Sequence, residues 1–155
     1  MKKLILIALA SLSIISCRKD DDNYNSKSPF EGTWTLSKNQ ILDGKDDQIL
    51  FSNNQLECSY KRTCVFVGET IAITHFKSEY SGLPCVINNI ENGKFSYDDA
   101  SKKITFKFDN QFGQYSESHY IKLLSNNEMQ LIDSNYQYDY NNDGIADKYI
   151  MIFNK

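Results

Sequence analysis

Positive charge is scarce in this chain: 17 lysines and arginines stand against 20 aspartates and glutamates. No basic patch is left to neutralise a run of phosphates, so nucleic-acid binding is not expected. Histidine is scarcer still. His75 and His119 are the two present, and neither sits in a Cys/His spacing that would hold zinc. No nucleophile elbow, phosphate loop or other catalytic signature occurs, which points away from an enzyme. No internal repeat is visible, and no amphipathic helix extends beyond about two turns. Prolines number two, against ten tyrosines and nine phenylalanines, a mixture that favours strands.

Long apolar runs are absent with one exception, Leu4 to Ile15. Spanning a bilayer takes about 20 apolar residues, so this run is too short to stay in a membrane. It has the length of a signal-peptide core, and Lys2 and Lys3 supply the positive flank in front of it. The ending Ile14-Ile15-Ser16-Cys17 resembles a lipobox, whose cysteine receives diacylglycerol. Residues 1–16 are therefore read as a lipoprotein signal peptide and Cys17 as the lipidated N-terminus. The partner implied is the outer membrane, with the domain facing the periplasm or the cell surface. Cleavage leaves 15 basic against 20 acidic side chains, a charge of −5. Residues 17–28, with Arg18-Lys19 followed by three aspartates, cannot bury enough apolar surface to order themselves and read as a flexible acidic tether. Residues 29–155 suit one domain with one core.

Within that domain apolar residues alternate with polar ones, the period of a half-buried strand. Trp34 and Leu36 share a face. So do Ile104, Phe106 and Phe108; Tyr115, His119, Ile121 and Leu123; and Tyr149, Met151 and Phe153, with Ile150 and Ile152 opposite. Less regular candidates run from Cys58 to Val67, Thr70 to Tyr80, Cys85 to Ile90, Gly93 to Tyr97 and Glu128 to Tyr138. Turn residues separate them, notably Asp43-Gly44, Asn92-Gly93, Asp98-Asp99, Asn126-Asn127 and Asn142-Asp143-Gly144. The fold class is all-β: an antiparallel up-and-down meander of eight or nine strands closing into a barrel, because closure removes exposed edges. A two-sheet sandwich is the alternative.

The motif Phe30-Glu31-Gly32-Thr33-Trp34 resembles the Gly-x-Trp opening of lipocalins. The wider pattern is similar to the lipocalin-like lipoproteins of Bacteroidetes. It comprises Cys58 ahead of a strand ending at Phe66, Cys85 before a hairpin, Gly93-x-Phe95-x-Tyr97 and an Asp/Asn-rich last hairpin. The resemblance implies a lipocalin-like β-barrel and a non-enzymatic protein that binds a small apolar or amphipathic ligand in or near the barrel. A solid barrel used as a protein- or glycan-interaction module is the second reading. The Lys-plus-acidic run after Cys17 also resembles a surface-export signal of that group. In animal lipocalins a late arginine packs on the opening tryptophan. Here the arginines are Arg18 and Arg62, so that partner is missing.

Three cysteines remain beside Cys17. Cys58 and Cys64, if extended, lie roughly 20 Å apart, well beyond the bridging limit of about 7 Å between Cα atoms. The resemblance pairs Cys58 with Cys85, leaving Cys64 as a buried thiol. Glu117 and His119 share strand parity and a candidate position at a barrel mouth, either as ligand-facing groups or as a locally satisfied rim pair. Finally, Asp139, Asn141, Asp143 and Asp147, with the carbonyl of Ile145, have the spacing of a calcium loop, and Ca²⁺ is the candidate cofactor. The twelfth position, normally a bidentate glutamate, is Ile150, which excludes a full EF-hand. A plain hairpin turn at Asn142-Asp143-Gly144 needs no metal.

Overall fold

The structure, a computed structural model, describes residues 28–155 except 55, 80–82 and 112. The expected signal peptide (1–16), the lipid site Cys17 and the tether up to residue 27 lie outside the described residues. Nine strands follow in order: β1 (Gly32–Leu42), β2 (Ile49–Asn53), β3 (Arg62–Val67), β4 (Thr70–Lys77), β5 (Val86–Asp98), β6 (Lys103–Asn110), β7 (Gly113–Leu124), β8 (Glu128–Asp133) and β9 (Lys148–Asn154), with a 3₁₀ turn at Cys58–Tyr60. Every pairing is antiparallel. The sheet runs β1-β3-β4-β5-β6-β7-β8-β9 and closes through β9 on β1, with β2 as an extra strand. This is the expected closed meander rather than a sandwich.

The extra strand has a simple origin. β9 occupies one edge of β1 from Thr35 to Leu42. On the other edge β3 pairs with Gly32–Thr35 and β2 with Asn39–Leu42. β2 and β3 are thus two pieces of one broken strand, and the segment between them loops out. Its 3₁₀ turn at Cys58–Tyr60 replaces the extended backbone expected from Cys58 onward, and the strand starts only at Arg62. The loop is stapled to the far end of the β4–β5 hairpin by a disulfide between Cys58 and Cys85, whose Cα atoms lie 5.4 Å apart.

Inward-facing side chains fill the barrel. Trp34, Phe66, Ile104, Phe106, Phe108, Met129, Leu131, Met151 and Phe153 are all buried in one cluster. A second cluster, Leu42, Ile150 and Ile152, sits on the opposite face of β1 and β9, so β9 is apolar on both sides. Bulges correct the alternation read from sequence. The β7–β8 register shifts between Ile121 and Leu123. Leu123 consequently turns outward, and Leu124 packs on the core in its place.

One end of the barrel is sealed. Phe30 enters ahead of β1 and packs on Phe66, Phe95 and Tyr97. Its carbonyl accepts a 2.6 Å hydrogen bond from the Trp34 indole. The cation missing from the sequence pattern comes from the last residue: Lys155 Nζ lies 4.7 Å from the Trp34 ring centroid. Gly32 makes room for it. A Cβ there would stand 2.9 Å from Lys155 Cε, and its φ of +117° is a conformation that side-chain-bearing residues avoid.

Candidate functional site

The opposite end gathers the ends of β4, β6 and β8 with the starts of β3, β5, β7 and β9, and here polar groups turn inward. Glu117 and His119 share the inner face of β7, as their spacing predicted. His119 Nε2 stands 3.8 Å from Glu117 Oε2, beyond hydrogen-bond length but within ion-pair range. His119 holds the Glu117 carboxyl below its usual range, and partial burial opposes the shift. Between Cys64, Phe106, His119, Met129 and Met151 only about 10 Å³ is open, room for roughly one water. His119 Nδ1 is buried there without a partner among the described residues. Burial pushes the nearby Cys64 thiol up to about 12, which leaves it an inert apolar filler.

A second polar chain leaves no mark in the sequence because its members are far apart along it. His75 Nε2 on β4 meets Glu91 Oε2 on β5 at 3.0 Å. The Glu91 carboxylate in turn acts on the Tyr115 phenol of β7. Burial, reinforced by that carboxylate, raises the Tyr115 phenol to about 12. The link passes over β6 because the barrel wall is split at this point. β5 pairs with β6 only from Gly93 onward, against Phe108. From Val86 to Asn92 it pairs with β4 alone, while Asp109 and Asn110 of β6 pair with β7. The strands fork at Gly93. A Cβ there would collide with the Lys107 carbonyl and reach within 2.7 Å of the Phe108 ring. Asn92-Gly93, expected as a turn between two strands, is therefore a point of close approach inside one 13-residue strand.

The fork opens a cleft with two adjoining lobes of about 580 and 560 Å³, which share Asn92, Phe108, Asp109 and Tyr115. Each lies within the range of about 300–1,000 Å³ typical of small-molecule sites. Phe108 and Tyr115 stack at 5.2 Å, inclined by 28°. No spacing in the sequence announces this cleft; it arises from where two strands part.

The residues expected to hold calcium lie in the loop before β9. Asp139 accepts hydrogen bonds from the amides of Asp143 (3.1 Å) and Gly144 (2.7 Å). Asn141 accepts from Asp143 N (3.2 Å), and Asp143 accepts from Ile145 N (2.9 Å). Asp147 points elsewhere. It is buried, and its two oxygens accept from Gly44 N (3.1 Å) and Tyr140 N (2.6 Å). It brackets this loop to the β1–β2 turn, a task shared by the Asn141–Asp43 bond of 2.8 Å. Among the described residues, no group of three or more His, Cys, Asp or Glu is placed to share a metal ion.

A family model described as a lipocalin-like domain matches residues 30–131. No curated protein sequence matches the chain. Among solved structures, it is similar to insecticyanin from the tobacco hornworm Manduca sexta, at 14% identity and a TM-score of 0.45, over 82% of this chain and 61% of insecticyanin. It is also similar to a deswapped triple mutant of bovine odorant-binding protein, at 14% identity and a TM-score of 0.39, over 83% of this chain and 74% of that one. The barrel thus spans about three-fifths of the insecticyanin chain. With two-thirds of its length matched from Phe30 to Leu131, this chain belongs to the lipocalin-like domain family.

Proposed function

We propose that this protein is a lipid-anchored, non-enzymatic binding protein of the outer membrane that takes a small amphipathic ligand at the open end of a packed barrel. The packed interior carries this reading. The cavity among Cys64, Phe106, His119 and Met129 leaves about 10 Å³, so an apolar ligand there would have to displace buried side chains, whereas the forked wall is open already. That observation favours the solid-barrel alternative over an interior pocket. The lipobox-like Ile14-Ile15-Ser16-Cys17 supports the anchor. Chain direction is compatible with it: the described chain enters β1 at the sealed end, opposite the cleft. Native mass spectrometry of protein extracted from its own membrane tests both halves. The expected species starts at Cys17 with two or three acyl chains, since a single chain anchors only marginally, and carries no apolar molecule in 1:1 ratio. A chain lacking lipid on Cys17 removes the anchor, and a stoichiometric apolar ligand removes the packed interior.

We propose calcium only as a weak ligand of Asp139, Asn141 and Asp143, whose side chains converge on one turn, with Asp147 kept for its bracket. Titration to about 10 mM, above the range of about 10⁻⁴–10⁻³ M seen in extracellular modules, is expected to raise the melting temperature of wild type and leave Asp143→Ala unmoved. A flat response in both leaves the loop as a polar turn. Asp147→Ala is expected to cost about 1–3 kcal/mol with or without calcium, because two amides lose their buried acceptor.

A further inference from the structure

The chemistry of the cleft narrows its ligand further, on the footing that the cleft is the recognition surface. Carboxamides are the most numerous class in its lining: Asn89, Asn92, Asn110, Gln111 and Gln114 are five of its fourteen residues. Each carries an acceptor oxygen and two N–H donors on one rigid plane, so each can give and accept a hydrogen bond side by side. Formal charge at the cleft cancels, with Lys94 and Lys107 against Glu91 and Asp109. An ionic ligand such as a phosphate would find no net counter-charge. A purely apolar one would cover amides without pairing them, which is costly. The shared part of the lining sets an aromatic pair beside Asn92 and Asp109: half-buried Tyr115 stacks on Phe108 where the lobes meet.

A ligand suited to this surface is uncharged, dense in groups that donate and accept at once, and apolar on a flat face. Sugar rings have this make-up: hydroxyls around the rim and C–H bonds on the face, which pack against aromatic rings. We infer that the cleft between β5 and β6 is a binding site for a neutral saccharide of at least two rings, one in each lobe, seated against Tyr115. An extended peptide pairing with the free edge of β5 is the competing occupant. It would use backbone hydrogen bonds and have little need of the amide side chains.

The test uses the full-length protein in an amine-oxide detergent, since glycosidic detergents would themselves present sugar. Saturation-transfer NMR is recorded with glucose, galactose and N-acetylglucosamine, and with maltose, cellobiose, lactose and chitobiose. At least one disaccharide is expected to receive saturation on its ring protons and to bind roughly tenfold more tightly than its monosaccharide. Gln114→Ala and Tyr115→Ala are each expected to weaken it roughly tenfold, the equivalent of about 1.4 kcal/mol. Gln114 is exposed and keeps the test decisive if Tyr115→Ala does not fold. No transfer to any sugar, or binding indifferent to Gln114→Ala, overturns the saccharide assignment. If a library of extended decapeptides then binds and Tyr115→Ala abolishes it, the cleft remains the recognition surface with another ligand. If those peptides also fail, the cleft reading falls with it.

Discussion

Replacing Cys58 and Cys85 together by serine is expected to lower the unfolding free energy by about 3.5 kcal/mol, from the loop-closure entropy of the 27-residue separation they bridge. In a domain of this size that is a fall in melting temperature on the order of ten degrees. The position of the bridge explains why little else compensates. It joins the excursion of the broken second strand to the tip of the β4–β5 hairpin, where Tyr60, Leu83, Val86 and Ile87 are all exposed. Among the described residues, Leu56 alone anchors the excursion in the core, so the covalent link supplements sparse packing at this end. It also fixes the start of β5, which is one wall of the cleft. Urea unfolding followed by circular dichroism gives the free energy, and limited proteolysis should cut the variant first within residues 54–61. A double variant within about 0.5 kcal/mol of wild type, the scatter of a neutral surface substitution, would show that the two segments are held without the bridge.

Strands were legible wherever one face meets the packed interior and the other meets water. Ile104, Phe106 and Phe108 alternate with Thr105 and Lys107 because those conditions hold all along β6. The pattern fails where they lapse. The first half of β5, from Val86 to Ile90, is exposed on both faces as it projects past the fork. Nothing there enforces a period of two, so Cys85–Ile90 reads only as an irregular strand, cut from Gly93–Tyr97 by an apparent turn at Asn92-Gly93. β2 leaves no signal for the same reason, being five mostly exposed residues on a short edge. Leu123 was misplaced by a bulge, since one shifted register flips every following side chain.

The candidate site was legible only where it is local. Glu117 and His119 are two apart on one strand, and parity alone put them on the same face. His75, Glu91 and Tyr115 meet through strand registers that no single segment records. Asp147 fits a ligand spacing in sequence, yet in space its buried carboxylate serves the amides of Gly44 and Tyr140. Spacing reports which residues are near along the chain, and register and burial decide what they face. Gly93 shows the same limit: a glycine beside an asparagine reads as a turn, while in the fold it lets two strands touch at the apex of the cleft.

Trp34→Ala is expected to be the most damaging single substitution, costing about 3–5 kcal/mol, as large aromatic truncations in cores do. Trp34 is fully buried at the sealed end, beneath Phe30 and Lys155. Three effects hold it, and their sizes can be ranked. Burial of the indole dominates. Its hydrogen bond to the Phe30 carbonyl adds about 0.5–1.5 kcal/mol. The ammonium of Lys155, itself exposed, adds about 0.5–1 kcal/mol as a cation over the ring. Lys155→Ala should therefore cost under about 1 kcal/mol, and Lys155→Arg should cost almost nothing, because a guanidinium stacks at least as well on an aromatic face. Trp34→Phe should fall between, keeping most of the burial but losing the N–H donor. Since Trp34 is the chain's one tryptophan, circular dichroism rather than indole fluorescence must follow unfolding, and an unchanged slope against urea would certify that stability alone has moved. If Lys155→Ala proved as harmful as Trp34→Ala, the cation rather than the buried ring would be what seals the barrel, and the order of the three contributions would be reversed.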